Sequence, residues 1–338
     1  MGVKDFFKVA IKNKNSEWDG YTIEDLGVWV DLEEIAAPPE RPDGTLVDGP
    51  VRVAIDASLT IWQSSLGTVL IDTLTDKEGN PTVHLNTIFN KIIMLKQAGL
   101  EQIWVFDSPE PNEMKKLAYA NRAKSRAAAI AAHKAKGGFK LTGAIIDEVK
   151  KLLSAMGCTY IQAPPGIEAE QYAARLTMGP KHQRFCQYVL SGDSDVLMFG
   201  GNLLRSKKVA SESGKTSKTQ YYTYDLDVIL KETGMTRAQL IRMGVALGND
   251  FNTRIEKCGP KTVMGSIKAK PQKVFLSSEQ QAVYAYYASD IKDKMKAGDA
   301  TASIYDRAAV TKLLVDKNFD AKRVDTRLNG YEKAGAAA

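Results

Sequence analysis

Cysteine and histidine are both scarce, with three of each in 338 residues. Cys158, Cys186 and Cys258 are far apart and show no paired metal spacing. A thiolate or imidazole zinc site and a disulfide framework are therefore both excluded as organising features, and a reduced, intracellular protein is expected. No run approaches the roughly 20 apolar residues that a membrane span needs. The opening MGVKDFFKVA lacks the apolar core of a secretory signal, and Phe6 stands where myristoylation calls for Ser or Thr. Internal repeats and long low-complexity tracts are missing too. What remains is ordinary globular composition, 44% hydrophobic and 25% charged, enough for one large domain or two small ones. The net charge of +6 permits a polyanionic partner without demanding one.

That average hides a separation of charge. Residues 15–50 carry ten acids against Arg41 alone, a net −9. Residues 113–140 carry eight bases against Glu113, a net +7, and residues 254–273 reach +5. One basic run is usually a solvated helix face. Two of them flanking a set of carboxylates call for a further reason.

Several short apolar runs end in acids. VRVAID (51–56), QIWVFD (102–107), TYIQAP (159–164) and FCQYVL (185–190, leading into SGDSD) read as buried strands. Helical patterns at 57–70, 85–98 and 143–156 separate them. The alternation predicts an α/β fold with a mostly parallel central sheet flanked by helices. Ligands in such sheets bind beyond the carboxyl ends of the strands, so the terminal acids are expected to share one edge. Residues 111–136 are Ala-rich, basic and poor in large apolar side chains, which predicts a projecting helix ended by Gly137-Gly138. The Pro- and Gly-rich segment 36–50 reads as a loop, and 206–220 as polar and flexible. Residues 239–252 and 260–268 read as two helices around NTRIEKCG.

Seven acids stand out: Asp56, Asp107, Glu168, Glu170, Asp193, Asp195 and Asp250. Singly, each has a plain explanation. Asp56 can cap the helix that follows, and Glu168 and Glu170 suit a helix first turn. Together, acids this close repel one another, and divalent cations relieve that cost. All-oxygen donors favour Mg²⁺ or Mn²⁺ over zinc, and two such ions suit phosphodiester hydrolysis.

With these residues in hand, the sequence resembles the flap endonuclease family, the structure-specific 5′ nucleases of the flap endonuclease/XPG type. The resemblance rests on MGVKDFFKV, VAIDASLTIWQ, VFDSPEP, APPGIEAEQYAARL, SGDSDVLMFG, LGNDF, GPKTV and TKLLVDKNFDAKRV. It spans most of the chain outside 14–50 and about 270–305. It implies a PIN-like nuclease core forming a single domain over 1–338. Within that domain it implies a helical arch at 108–142, a helix–turn–helix duplex-binding element at 239–270 and a C-terminal 3′-flap-binding element at 306–333. The stretch 14–50 stands apart as an acidic insertion, expected to be a solvated loop packed by Trp18, Tyr21 and Trp29.

The resemblance also implies roles. The seven acids would hold two Mg²⁺ ions, with Mn²⁺ able to substitute. Asp56, Asp107, Glu168 and Glu170 would lie nearer the first ion, and Asp193, Asp195 and Asp250 nearer the second. Lys115 and Arg122, on one face of the basic helix, would contact the scissile phosphate, with Lys116, Lys124 and Arg126 adding DNA contacts. Trp62 would stack on a base, and the backbone of Gly2 would lie near the site. Gly259 and Lys261 would grip duplex phosphates. The usual turn glycine is here Lys257, followed by Cys258, which puts potassium coordination at that turn in question. Thr82, Lys317 and Arg323 would recognise a 3′ flap. A clamp-binding box is not found, and a monomer is expected. The implied activity is cleavage of branched or 5′-flapped DNA in replication or repair, leaving a 5′-phosphate and a 3′-hydroxyl. The short arch admits a Holliday-junction-type resolvase as the alternative. A non-catalytic DNA-binding scaffold is opposed by the complete acid set.

Overall fold

The computed structural model describes residues 2–11, 22–64, 74–114, 116, 118, 141–210, 217–269 and 276–336. Lys115, Arg122, Lys124, Arg126 and most of the expected arch lie outside them. The strands are β1 (Val28–Val30), β2 (Arg52–Asp56), β3 (Glu101–Phe106), β4 (Thr159–Gln162), β5 (Tyr188–Leu190), β6 (Leu203–Ala210), β7 (Ser217–Tyr224) and β8 (Ala300–Thr301). They form one sheet in the order β1-β7-β6-β5-β2-β3-β4-β8. Neighbours from β6 through β4 pair in parallel, and antiparallel strands close both ends. The chain moves outward from β2 through β3 to β4, then returns to the far side of β2 for β5 and β6. The reversal falls between β2 and β5, where an open α/β sheet opens a crevice.

Among the described residues, twelve α-helices surround the sheet. These are α1 (Leu32–Ile35), α2 (Ala57–Ser64), α3 (Val83–Gln97), α4 (Gly143–Ala155), α5 (Ala169–Leu176) and α6 (Asp195–Met198), then α7 (Leu226–Thr233), α8 (Arg237–Leu247), α9 (Val263–Ala269), α10 (Ser278–Ala288), α11 (Arg307–Asp316) and α12 (Ala321–Ala336). Alternating residues of the central strands serve two cores. Ala54, Ile103, Val105, Ile161 and Val189 face one core, which is completed by α5–α10 and the N-terminal segment. Val53, Ile55, Trp104, Phe106 and Leu190 face the other, completed by α2, α3, α4, α11 and α12.

Two expectations need correction. The segment 206–220 is not a flexible loop where it is described, because β6 and β7 pair over eight positions from Leu203↔Tyr224 to Ala210↔Ser217. Its polar side chains misled because an antiparallel pair near a sheet edge can present solvent-facing surface. Likewise, the acidic insertion is more than a solvated loop. Its β1 forms the sheet's outer strand against β7, and Ile23, Leu26, Leu32 and Ile35 are buried. Trp29, expected to pack it, is instead 47% exposed. Glu24 ties the insertion to the hairpin through Arg205 (3.0 Å) and Lys207. Trp18 and Tyr21 lie outside the described residues. The expected loop at 36–50 is present over its whole length, with a turn closed by the Glu40–Leu46 bridge near its middle.

Candidate active site

The acids reach one edge because each strand hands its last residues to the same side. Asp56 ends β2, and its Oδ1 accepts the Leu59 amide at 2.8 Å, capping α2. The capping role and a place in the acid set are thus compatible. Asp107 follows β3, and its Oδ1 accepts the amide of Ala169 (3.0 Å) at the start of α5. The loop after β4 delivers Glu168 as the residue preceding α5 and Glu170 in its first turn. The loop after β5 delivers Asp193, whose Oδ1 accepts the Asp195 amide (3.1 Å), and Asp195 opens α6.

Glu170, Asp193 and Asp195 form the tightest group, with one carboxylate oxygen from each within 4.8 Å of the others. This trio cuts across the expected division, since Glu170 joins Asp193 and Asp195. Burial pushes the Glu170 carboxyl well above the usual carboxylate range, and the charges of Asp193, Asp195, Asp56 and Glu168 push it further. Burial raises Asp195 in the same way, followed by Asp193, while the Tyr287 hydroxyl pulls it down; Asp250 and Glu168 add to the rise. Oε1 of Glu170 and Oδ1 of Asp195 are buried without a hydrogen-bond partner. Buried, unpartnered carboxylate oxygens facing further acids are costly unless a cation joins them. All-oxygen donors suit a hard divalent ion, so the residues present fit the group that the sequence implies.

Gly2 lies against this trio. Its backbone is left-handed (φ 88°), and a side-chain carbon there would overlap Asp193 Oδ1 and come within 2.7 Å of Ser194 Oγ. The Val3 amide donates to that same Oγ at 3.0 Å, pinning the segment.

The other sequence candidates spread outward. Trp62 on α2 is 39% exposed. Lys116 is exposed and pairs with Glu113 at 2.7 Å. In the turn between α8 and α9, Lys257 takes the left-handed conformation (φ 63°) that glycine adopts most readily. The Gly259 amide donates to Thr262 Oγ1 at 3.2 Å, and Lys261 is exposed. Thr82 and Arg323 line one groove with Asn86, Phe89, Phe319 and Arg327. Lys317 stands nearby, held by Glu148 (2.5 Å) and Asp76 (3.4 Å). The Glu148 hydrogen bond, more than Asp76, raises its ammonium above the usual lysine range.

Sequence reasoning missed two residues. The Tyr286 hydroxyl donates to Glu168 Oε1 at 2.6 Å, and the Tyr287 hydroxyl donates to Asp195 Oδ2 at 2.8 Å. Burial, then the adjoining carboxylate charge, keeps both phenols protonated well past the usual tyrosine range. Two aromatics inside a helix carry no sequence signal that separates them from core packing.

Comparison with known proteins agrees with this geometry. The XPG N-terminal domain model matches residues 46–129 and the XPG I-region model matches residues 157–250. Asp56 and Asp107 fall in the first stretch, and the other five acids in the second. The chain is 30% identical over 346 residues to flap endonuclease 1 of Aeropyrum pernix, covering 90% of this chain and 95% of that protein. Against the human flap endonuclease 1 it is 32% identical over 232 residues, covering 64% of this chain and 58% of that protein. In fold it resembles the flap endonuclease-1 structure from Methanococcus jannaschii, with TM-score 0.66, 19% identity, and coverage of 92% of this chain and 96% of that one. The catalytic core of Rad2 in complex with DNA substrate superposes with TM-score 0.61 at 20% identity, over 98% of this chain and 100% of that one. Sheet, acidic edge and matched regions place the chain among the structure-specific nucleases. It belongs to the flap endonuclease family.

Proposed function

We propose that the protein hydrolyses phosphodiester bonds at the base of a 5′ flap or overhang in branched DNA, with two divalent ions held by the seven acids. The observation that carries this reading is the cluster of Glu170, Asp193 and Asp195, with two buried carboxylate oxygens that no protein donor satisfies. When bound, Mg²⁺ or Mn²⁺ supplies a water of lowered pKa and offsets charge developing on the phosphate.

The chain's own residues position the strand. Trp62 offers a π-face to a base beside the cleavage site. Lys115 and Arg122 bring positive charge to the scissile phosphate, with Lys116, Lys124 and Arg126 along the arch. Gly259 and Lys261 hold a duplex phosphate at the start of α9. The groove at Thr82 and Arg323, with Lys317 beside it, takes the 3′ flap. In this reading the protein works as a monomer.

The test is cleavage of an end-labelled 5′-flap duplex alongside single-strand, gapped and four-way-junction substrates. Asp193→Ala is expected to abolish cleavage while leaving flap affinity within a few fold. Normal turnover of that variant in excess Mg²⁺ would sink the two-ion assignment.

A further inference from the structure

Helix α10 lies outside both matched regions, yet it touches the acid set at two points. Ser277 fixes the helix start by accepting the Gln280 amide, in a capping box. Tyr286 and Tyr287 are adjacent in sequence, so their side chains leave the helix about 100° apart. One reaches Glu168 and the other Asp195, acids delivered by two different loops.

The rings are held as firmly as the hydroxyls. Tyr287 packs on Phe199 with centroids 5.0 Å apart, and Tyr286 packs on Phe199 and Phe251, both at 5.4 Å. Phe199 immediately follows α6, the helix that Asp195 opens, and Phe251 immediately follows Asp250. Arg237 Nη2 then donates to the carbonyl oxygens of both Phe199 (2.9 Å) and Tyr287 (3.1 Å), tying the two helix ends together. At Asp195 the consequence is directional. Tyr287 occupies Oδ2, while Oδ1 is buried and has no hydrogen-bond partner.

We infer that Tyr286 and Tyr287 are positioning residues for cation binding: each donates to one oxygen of an acid of the metal site and fixes how that carboxylate faces a divalent ion, with Oδ1 of Asp195 aimed at it. This rests on the metal-site reading above. Neither hydroxyl is assigned to substrate or to the reacting atoms. Groups that orient metal ligands in this way typically govern about 10- to 100-fold in metal affinity.

Tyr286→Phe and Tyr287→Phe remove one hydroxyl each and keep the ring contacts. The probe is Mn²⁺ alone, titrated into the full chain without DNA and followed by electron paramagnetic resonance. Each variant is expected to bind Mn²⁺ 10- to 100-fold more weakly than the unaltered protein. Circular dichroism spectra of the metal-free proteins are expected to match. Equal Mn²⁺ affinity in variant and unaltered protein would overturn the inference and leave the metal site standing. Failure of the unaltered protein to bind Mn²⁺ would overturn the metal-site reading, and this inference with it. If Tyr287→Phe does not fold, the partly exposed Tyr286 decides the matter by the same titration.

Discussion

Gly2 shows how tightly a single residue can be specified. Its left-handed backbone and its closeness to Asp193 leave no space for a side chain. Gly2→Ala is therefore expected to displace the Asp193 carboxylate and lower the single-turnover rate roughly 100-fold, the usual cost of a misplacement near 1 Å. Thermal melting alongside would show how far the change also loosens the N-terminal segment, whose Val3 and Phe6 are buried in the core. The acids were legible because each closes an apolar run or opens a helix, a placement that a sequence displays. Asp56 was legible twice over, as a helix cap and as a candidate ligand, and it makes its capping bond while standing among the acids. The tyrosines were not legible. Their hydroxyls act across separations of 118 and 92 residues, and nothing local marks a phenol that will meet a carboxylate.

At the level of elements, the parallel core could be read because buried central strands are short, apolar and bounded by turns. The outer strands could not. β6 and β7 carry Lys207, Lys208 and Lys218 in a run whose polarity resembles a linker, and pairing with each other and with β5 and β1 gives them shape. The C-terminal helices were read as a DNA-contacting surface, and they also close a core. Val310, Leu314, Val324 and Leu328 are buried in the same cluster as Leu85, Ile88 and Ile92 of α3. Leu328→Ala should therefore destabilise the fold by about 2–5 kcal/mol, as large-to-small core changes do. Urea unfolding with an unchanged m-value would check it, and a loss below about 0.5 kcal/mol would show that α12 is docked only loosely.

For the molecule as a whole, the concentration of acids at one edge makes stability depend on pH and metal together. Unfolded Asp and Glu titrate near 4. In the fold, Glu170 and Asp195 are raised well above that, by burial first. A state that keeps its protons to higher pH is favoured at low pH and loses that advantage as pH climbs through the raised values. A divalent ion replaces those protons. The rise in melting temperature on adding Mg²⁺ should accordingly be larger at pH 8 than at pH 5. Melts in EDTA and in Mg²⁺ at both values test this, and Asp195→Asn should flatten the difference. An increment independent of pH would separate the cation from these two carboxyls.

The order in which the chain supplies its parts has a further consequence. Asp56 comes early, Asp250 late, and the two hydroxyl donors later still, at 286 and 287. A growing polypeptide halted after Phe251 would hold all seven acids and neither phenol, with Phe199 and Phe251 deprived of their tyrosine ring partners. During synthesis, then, Glu168 and Asp195 gain these hydroxyl donors only after α10 has been made and folded back. In that order of assembly the acid site receives these two hydroxyl supports well after its own carboxylates have been made.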